Sequence, residues 1–298
     1  MLNILHGSDL HFGKPFNAKV ADVLRQSIHD LSPDLLVFSG DFTQRAKVGE
    51  YREAGEYLES LPEIPVVVTP GNHDVPLYRV WERISAPLRN YRRFISPELD
   101  TVTSVDGATV VALNSTAPHR AIVNGRIRDR QLLFAAAAFQ HGPEQDCRVV
   151  VLHHHLAPAP DYESDQVLPG FQRCLDAFSK MKVDLILGGH LHRAYTANSL
   201  DAYPVEDGRH GIVIAHSGTT TSRRGRARER NKNSFNTIGI TGDHMVVTQH
   251  LFLDEEGVFA PVATHTFPRR TARFLKAGSV HDGNSAEEEG SSEEGEGQ

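Results

Sequence analysis

Five short apolar runs in this chain each stop at Asp, Asn or His, and this recurrence constrains the fold more than any other feature of the sequence. The run 2–5 leads to Ser8-Asp9-Leu10-His11, and the run 35–38 leads to Ser39-Gly40-Asp41-Phe42-Thr43. The run 66–68 leads to Pro70-Gly71-Asn72-His73-Asp74. The run 149–152 leads to His153-His154-His155, and 183–187 leads to Gly188-Gly189-His190-Leu191-His192. Apolar runs of this length bounded by turn residues read as buried strands.

Between them the period changes. Val20, Val23, Leu24, Ile28 and Leu31 have helical spacing that stops at Ser32-Pro33, and a second amphipathic helix over 48–61 stops at Pro62. Strand–helix–strand–helix–strand over 1–75 predicts three parallel, neighbouring strands joined by right-handed crossovers. The carboxyl ends of such strands lie on one edge, where open α/β sheets bind ligands. Residues 9, 11, 41, 72 and 73 are thereby brought together.

Further along, 77–100 reads as helical and irregular, 101–114 as a hairpin about Asp106-Gly107, 128–139 as a helix and 147–152 as a strand. A Pro-rich loop over 156–169 is expected above the site, then a helix over 171–180 and a strand over 183–188. Strand-like alternation over 193–253 suggests a second, more antiparallel sheet.

The chain has 298 residues, enough for a sizeable core, and its 39% hydrophobic and 23% charged content is ordinary for a globular domain. No run is long enough to span a membrane, and no secretory leader is evident. Cys147 and Cys174 read as free buried thiols in a reducing, cytoplasmic setting. The formal charge of −7 is concentrated in Asp282, Glu287, Glu288, Glu289, Glu293, Glu294 and Glu296; without these seven acids the remainder is formally neutral. Nothing in that balance points to a nucleic-acid or a membrane partner. Residues 276–298 have almost nothing to bury and are expected to form a disordered acidic tail.

Carboxylate, amide and imidazole donors without Cys make a hard-to-borderline metal set. Asp41 has two carboxylate oxygens and is expected to bridge two cations. One set is Asp9, His11, Asp41 and His192; the other is Asp41, Asn72, His190 and a histidine following the 149–152 strand. His153 or His154 could be that fourth-run ligand, and His153 is preferred as the first after the strand. In an extended segment, i and i+2 point the same way, which would turn both members of Asp9-Leu10-His11 and of His190-Leu191-His192 toward the ions. Two cations about 3.5–4 Å apart polarise a phosphoryl group and lower the pKa of a shared water. His73 is left for proton transfer or charge stabilisation, and Asp74 is expected to orient it. The stretch Ser217-Gly218-Thr219-Thr220-Thr221, followed by Arg223, Arg224, Arg226, Arg228 and Arg230, is either a phosphate contact or a solvated loop. Arg45, Thr219 and Arg223 are the candidate substrate contacts.

Asp9-x-His11, Gly40-Asp41, Gly71-Asn72-His73-Asp74, a His after the 149–152 strand and Gly189-His190-x-His192 stand in the order found in calcineurin-like metallophosphoesterases, which the chain resembles over about 1–220. Ser8-Asp9-Leu10-His11-Phe12-Gly13 and Gly40-Asp41-Phe42-Thr43-Gln44-Arg45 are similar to the small bacterial cyclic-nucleotide phosphodiesterases of that family. The resemblance implies a metallophosphoesterase domain over 1–275, built as a four-layer α/β/β/α sandwich of two mixed sheets flanked by helices. It implies two metal ions (iron, manganese or zinc) and hydrolysis of a small phosphoester by a metal-bound hydroxide. By the same resemblance, His73 acts on the leaving group. A cyclic nucleotide such as cAMP is the expected substrate. A phosphomonoesterase or nuclease on the same fold is the alternative, and a catalytically silent metal-binding scaffold is the alternative of another class. An oligomer is compatible with all of these.

Overall fold

Every residue of the run Leu35–Phe38 is buried, as expected for a strand covered on both faces. It forms β2, lying between β1 (Leu2–Gly7) and β3 (Val66–Val68), with both pairings parallel. The crossovers are α1 (Ala18–Leu31) and α2 (Val48–Glu59), within a residue or two of the stretches whose spacing predicted them. The computed structural model describes residues 1–119, 123–159, 166–203, 211–226 and 229–270. The expected tail at 276–298 lies outside them.

After β3 come α3 (Val80–Ser85), α4 (Arg89–Phe94), and the hairpin of β4 (Thr101–Val105) and β5 (Ala108–Ala112). Then follow α5 (Asp129–His141), β6 (Cys147–Val151), α6 (Phe171–Lys180), β7 (Leu185–Gly188), β8 (Tyr195–Asn198), α7 (Ser199–Ala202) and β9 (Val213–His216). The chain continues as β10 (Ser234–Ile240), β11 (His244–Leu253) and β12 (Val258–Pro268).

These strands form two mixed sheets, ordered β12-β11-β10-β1-β2-β3 and β4-β5-β6-β7-β9-β8. Alternate residues of each strand face opposite sides. Ile4, Val37 and Val67 meet Val110, Val149 and Leu187 in the core between the sheets. Leu5, Leu36 and Phe38 pack outward with Leu24, Ile28 and Tyr51 of α1 and α2. Val111, Val150 and Ile186 pack outward with Phe139 of α5 and Phe178 of α6. This is the expected four-layer α/β/β/α sandwich. Cys147 and Cys174 are free and buried.

The expectation of a separate sheet over 193–253 is corrected. β8 and β9 extend the β5–β7 sheet, whereas β10 pairs onto β1 from its other side, with β11 and β12 beyond it. Alternation reveals a half-buried strand but not its partner, because pairing is a long-range choice. In the Pro-rich stretch, 160–165 lie outside the described residues. Ala157 lies beneath Tyr195, whose hydroxyl donates to its carbonyl at 2.8 Å.

Candidate metal centre

The loops that end β1, β2, β3, β6 and β7 meet at one end of the sandwich. Asp9 donates its N–H to Gly40 O at 3.0 Å, and His11 donates to Asp41 O at 2.9 Å, so the first two loops run side by side. The segment after β9 supports the first loop from behind: Thr220 Oγ1 accepts from Ser8 N–H at 2.9 Å and Thr221 Oγ1 donates to Leu10 O at 2.9 Å. Gly71 and Gly189 are required by close approach. A Cβ on Gly71 would overlap the Asp41 carboxylate, and one on Gly189 would overlap the Ser8 hydroxyl.

The convergence of Asp9 with His11 and of His190 with His192 is not achieved by extended backbone, as the alternation had suggested. All four, and Asp41, have positive φ between 50° and 74°. Asp and His tolerate the left-handed region better than most residues, yet it remains an uncommon conformation that the surrounding loops must hold.

Asp9, His11, Asp41 and His192 form a buried group, one ligand atom from each lying within 4.8 Å of the others. Asp9 Oδ1 is 3.1 Å from His192 Nε2 and 3.4 Å from His11 Nε2. Asp41 Oδ2 is 3.7 Å from His11 Nε2 and 3.3 Å from His153 Nε2, so it touches a second group. There Asn72 Oδ1 lies 3.2 Å from His153 Nε2 and 2.9 Å from His190 Nδ1. His154 instead turns its Nδ1 to Ser115 Oγ at 2.7 Å.

The donors present fit two cations. Asp9 Oδ1 and Asp41 Oδ2 are buried and have no hydrogen-bond partner. His192 Nδ1 donates to Arg224 O at 3.0 Å and His153 Nδ1 to Ser39 O at 2.7 Å, which directs the Nε2 lone pair of each ring into the site. Burial opposes charge on Asp41, but the His153 and His73 rings outweigh it and hold the carboxyl well below the usual range. Burial likewise opposes charge on Asp9, and His192 and His11 outweigh it in the same direction. Burial works against a proton on His153 too, yet Asp41 raises its pKa to about 9. His153 Nε2 thus lies between Asp41 and Asn72 where the surroundings favour positive charge, a position for which a cation would compete.

His73 donates its backbone N–H to Asp41 Oδ1 at 2.8 Å, and its Nδ1 lies 2.9 Å from Gln44 O. The expected contact between Asp74 and the His73 ring is absent. The Asp74 carboxylate accepts from the backbone N–H of Phe42 at 3.2 Å, Thr43 at 2.9 Å and Gly71 at 2.9 Å. It pins the β2 and β3 loops together, and the His73 ring is bonded instead to the Gln44 backbone carbonyl. Burial and the nearby Asp41 push the Asp74 carboxyl up to about 7.

A cavity of about 380 Å³ opens over the site, lined on its polar side by Asp41, Asn72, His73, His190, Arg224 and Arg226. Arg45 also lines it, with its guanidinium 5.1 Å from the Tyr78 ring centre. Two of the three expected substrate contacts are corrected. Thr219 is fully buried and donates to Asp9 O at 2.8 Å, so it supports the loop. Arg223 is exposed and does not line the cavity; its N–H bonds Pro15 O at 2.9 Å beside the Phe16–Ser222 bridge. Arg224, which donates to Gln44 Oε1 at 3.1 Å, lines the cavity instead. The arginine cluster was visible in the sequence, but which members face the cavity depends on that bridge.

A family model described as calcineurin-like phosphoesterase matches residues 2–194. A probable cyclic nucleotide phosphodiesterase of Synechococcus sp. is 29% identical over 167 residues, covering 55% of this chain and 60% of that protein. A component of the SbcCD nuclease of Staphylococcus epidermidis is 25% identical over 225 residues, covering 66% of this chain and 59% of that protein. The chain thus spans about three fifths of the length of these curated relatives. A dimetal phosphatase from Danio rerio superposes with a TM-score of 0.60 at 13% identity, covering 90% of this chain and 99% of that one, a likeness of fold.

Proposed function

The chain belongs to the calcineurin-like phosphoesterase family, and from that premise we propose that it is a metal-dependent hydrolase of phosphodiesters, with a cyclic nucleotide as the substrate. The observation that carries this reading is the position of Asp41 Oδ2, buried, without a hydrogen-bond partner and shared by two groups of donors. Asp9, His11, Asp41 and His192 would hold one ion, and Asp41, Asn72, His153 and His190 the other. Two bound cations polarise a phosphoryl group and make water a better nucleophile near neutral pH.

The chain's own residues supply the rest. Arg224, Arg226 and Arg45 present guanidinium groups to the cavity, suited to phosphate oxygens. His73 is held through Nδ1 by the Gln44 carbonyl. Nε2 is then the ring atom left to pass a proton to a leaving oxygen at the cavity. The Synechococcus relative supports the cyclic-nucleotide choice by its name.

Metal analysis of the purified protein, with hydrolysis of bis(p-nitrophenyl) phosphate before and after chelation, tests the reading. Two ions per chain and chelator-sensitive turnover are expected. Turnover that survives complete metal removal would sink it. A screen of cyclic nucleotides, nucleotide monoesters and DNA then separates the proposed substrate from phosphomonoesterase and nuclease activity.

A further inference from the structure

Helix α3 has no buried residue, although three of its six positions are Val80, Trp81 and Ile84. Leu77 and Tyr78 lead into it, and all five side chains are exposed, Trp81 to 86%, Tyr78 to 72% and Ile84 to 56%. Val80 with Ile84, and Trp81 with Ile84, are four and three residues apart, so the three share one face. A helix this short gains little from propensity in water and is normally held by a packed apolar face. Here that face points away from the chain. Leu77 and Tyr78 also line the metal cavity, so the patch is continuous with its mouth.

The charge around the patch is mainly positive. Arg79, Arg83, Arg89, Arg92 and Arg93 accompany a single acid, Glu82, within 77–94, and Glu82 pairs with Arg79 at 2.6 Å. Where α3 ends, at Ala86 and Pro87, Arg89 and Arg92 line a cleft of about 430 Å³ together with Arg128, Arg130 and His119. Among the described residues these four arginines take part in no ion pair. Arg128 has its pKa lowered by burial and by Arg130 and Arg126 beside it.

We propose that this surface docks the protein onto an anionic lipid bilayer. Trp81, Ile84 and Val80 enter the headgroup layer, the arginines meet lipid phosphates, and the cavity mouth faces the membrane. Protruding apolar side chains on a convex helix, with Trp and Tyr among them and arginines at the border, suit an interface that accepts amphipathic rings at headgroup depth. The excess of arginine selects anionic lipid. The near-neutral body and the absence of a bilayer-spanning run lead to the expectation of no membrane partner. Among the described residues no helix is long and apolar enough to cross one, but a surface anchor needs no span. The inference is independent of which phosphoester is cleaved.

Flotation of the purified full chain with vesicles of phosphatidylcholine alone, and of phosphatidylcholine mixed with phosphatidylglycerol, tests it. Binding to the mixed vesicles only is expected, weakened at least about tenfold by W81A/I84A through loss of buried apolar area. R89E/R92E should weaken it comparably through loss of charge. Both variants should keep the hydrolysis of a small soluble diester, because these four side chains are outside the metal cavity; circular dichroism checks that R89E/R92E, which loses the Arg92 bond to Pro97 O, stays folded. Failure of the unaltered protein to float, or flotation of either variant as strongly as the parent, overturns the proposal. So does a concentration-dependent dimer in sedimentation that W81A/I84A abolishes without any vesicle binding, which would assign the patch to a second copy.

Discussion

His153 Nδ1 lies 2.7 Å from the carbonyl oxygen of Ser39, a hydrogen bond that ties the loop after β6 in one sheet to the loop after β2 in the other. With Nδ1 committed, Nε2 is directed at Asp41 and Asn72. His154, one residue on, is bonded to Ser115 instead. His153→Ala should therefore lose about one metal equivalent per chain, and His154→Ala should keep both. Elemental analysis of the two purified variants decides the assignment; the opposite pattern would transfer the ligand role to His154.

Asp41 touches both donor groups, whereas Asp9 belongs to one. Asp41→Asn should reduce occupancy at both sites and lower kcat at least about tenfold further than Asp9→Asn, the scale set by one supporting contact at a metal. Equal, mild losses in the two variants would contradict a bridging role.

His73→Ala should retain metal, since the ring bonds Gln44 O and is outside the ligand sets proposed above. For a substrate with a poor leaving group the rate should fall about 10²–10⁴-fold, the usual range for general acid catalysis. A nitrophenyl ester should suffer much less. Metal analysis beside kinetics on both substrates checks this. Equal loss on the two esters at full occupancy would favour charge stabilisation over proton donation.

Arg224→Ala should lower kcat/KM for a phosphodiester about 10–100-fold, as expected for loss of a hydrogen bond from a charged group. Its carbonyl contact to His192 is backbone and survives the substitution. Arg223→Ala, exposed and outside the cavity, should leave the value within about twofold. Steady-state kinetics on both variants provide the comparison, and a larger effect at Arg223 would overturn the assignment.

His6 is buried, which together with His216 lowers its pKa from 6.5 to about 3. Below 6.5 the unfolded chain binds a proton there, and the folded chain does not until near 3. The unfolded state holds more protons in that window, so stability falls as the pH falls through it, by up to about 1.4 kcal/mol per pH unit for this group. His6→Gln should flatten that decline. Urea unfolding at several pH values between 6.5 and about 4 measures the slope; an unchanged slope would show that His6 does not contribute.

Some of this protein was determined by sequence alone. Apolar runs over 1–75 ending in Asp or Asn, separated by helices of crossover length, require parallel strands whose ends share an edge, and Asp9, His11, Asp41 and Asn72 do meet there, whereas His153, His190 and His192 reach them from the second sheet. That much follows from strand period and crossover geometry, which are local. Tertiary structure decided the rest. The left-handed backbone at Asp9, His11 and Asp41 exists because neighbouring loops hold it. Asp74 faces three backbone amides rather than His73 because the β2 and β3 loops close around it. Arg224 enters the cavity and Arg223 does not because Ser222 is bridged to Phe16, about two hundred residues away in sequence. The division of β8 to β12 between the two sheets is another long-range choice. Such contacts depend on which distant segments pair, and no local periodicity records that.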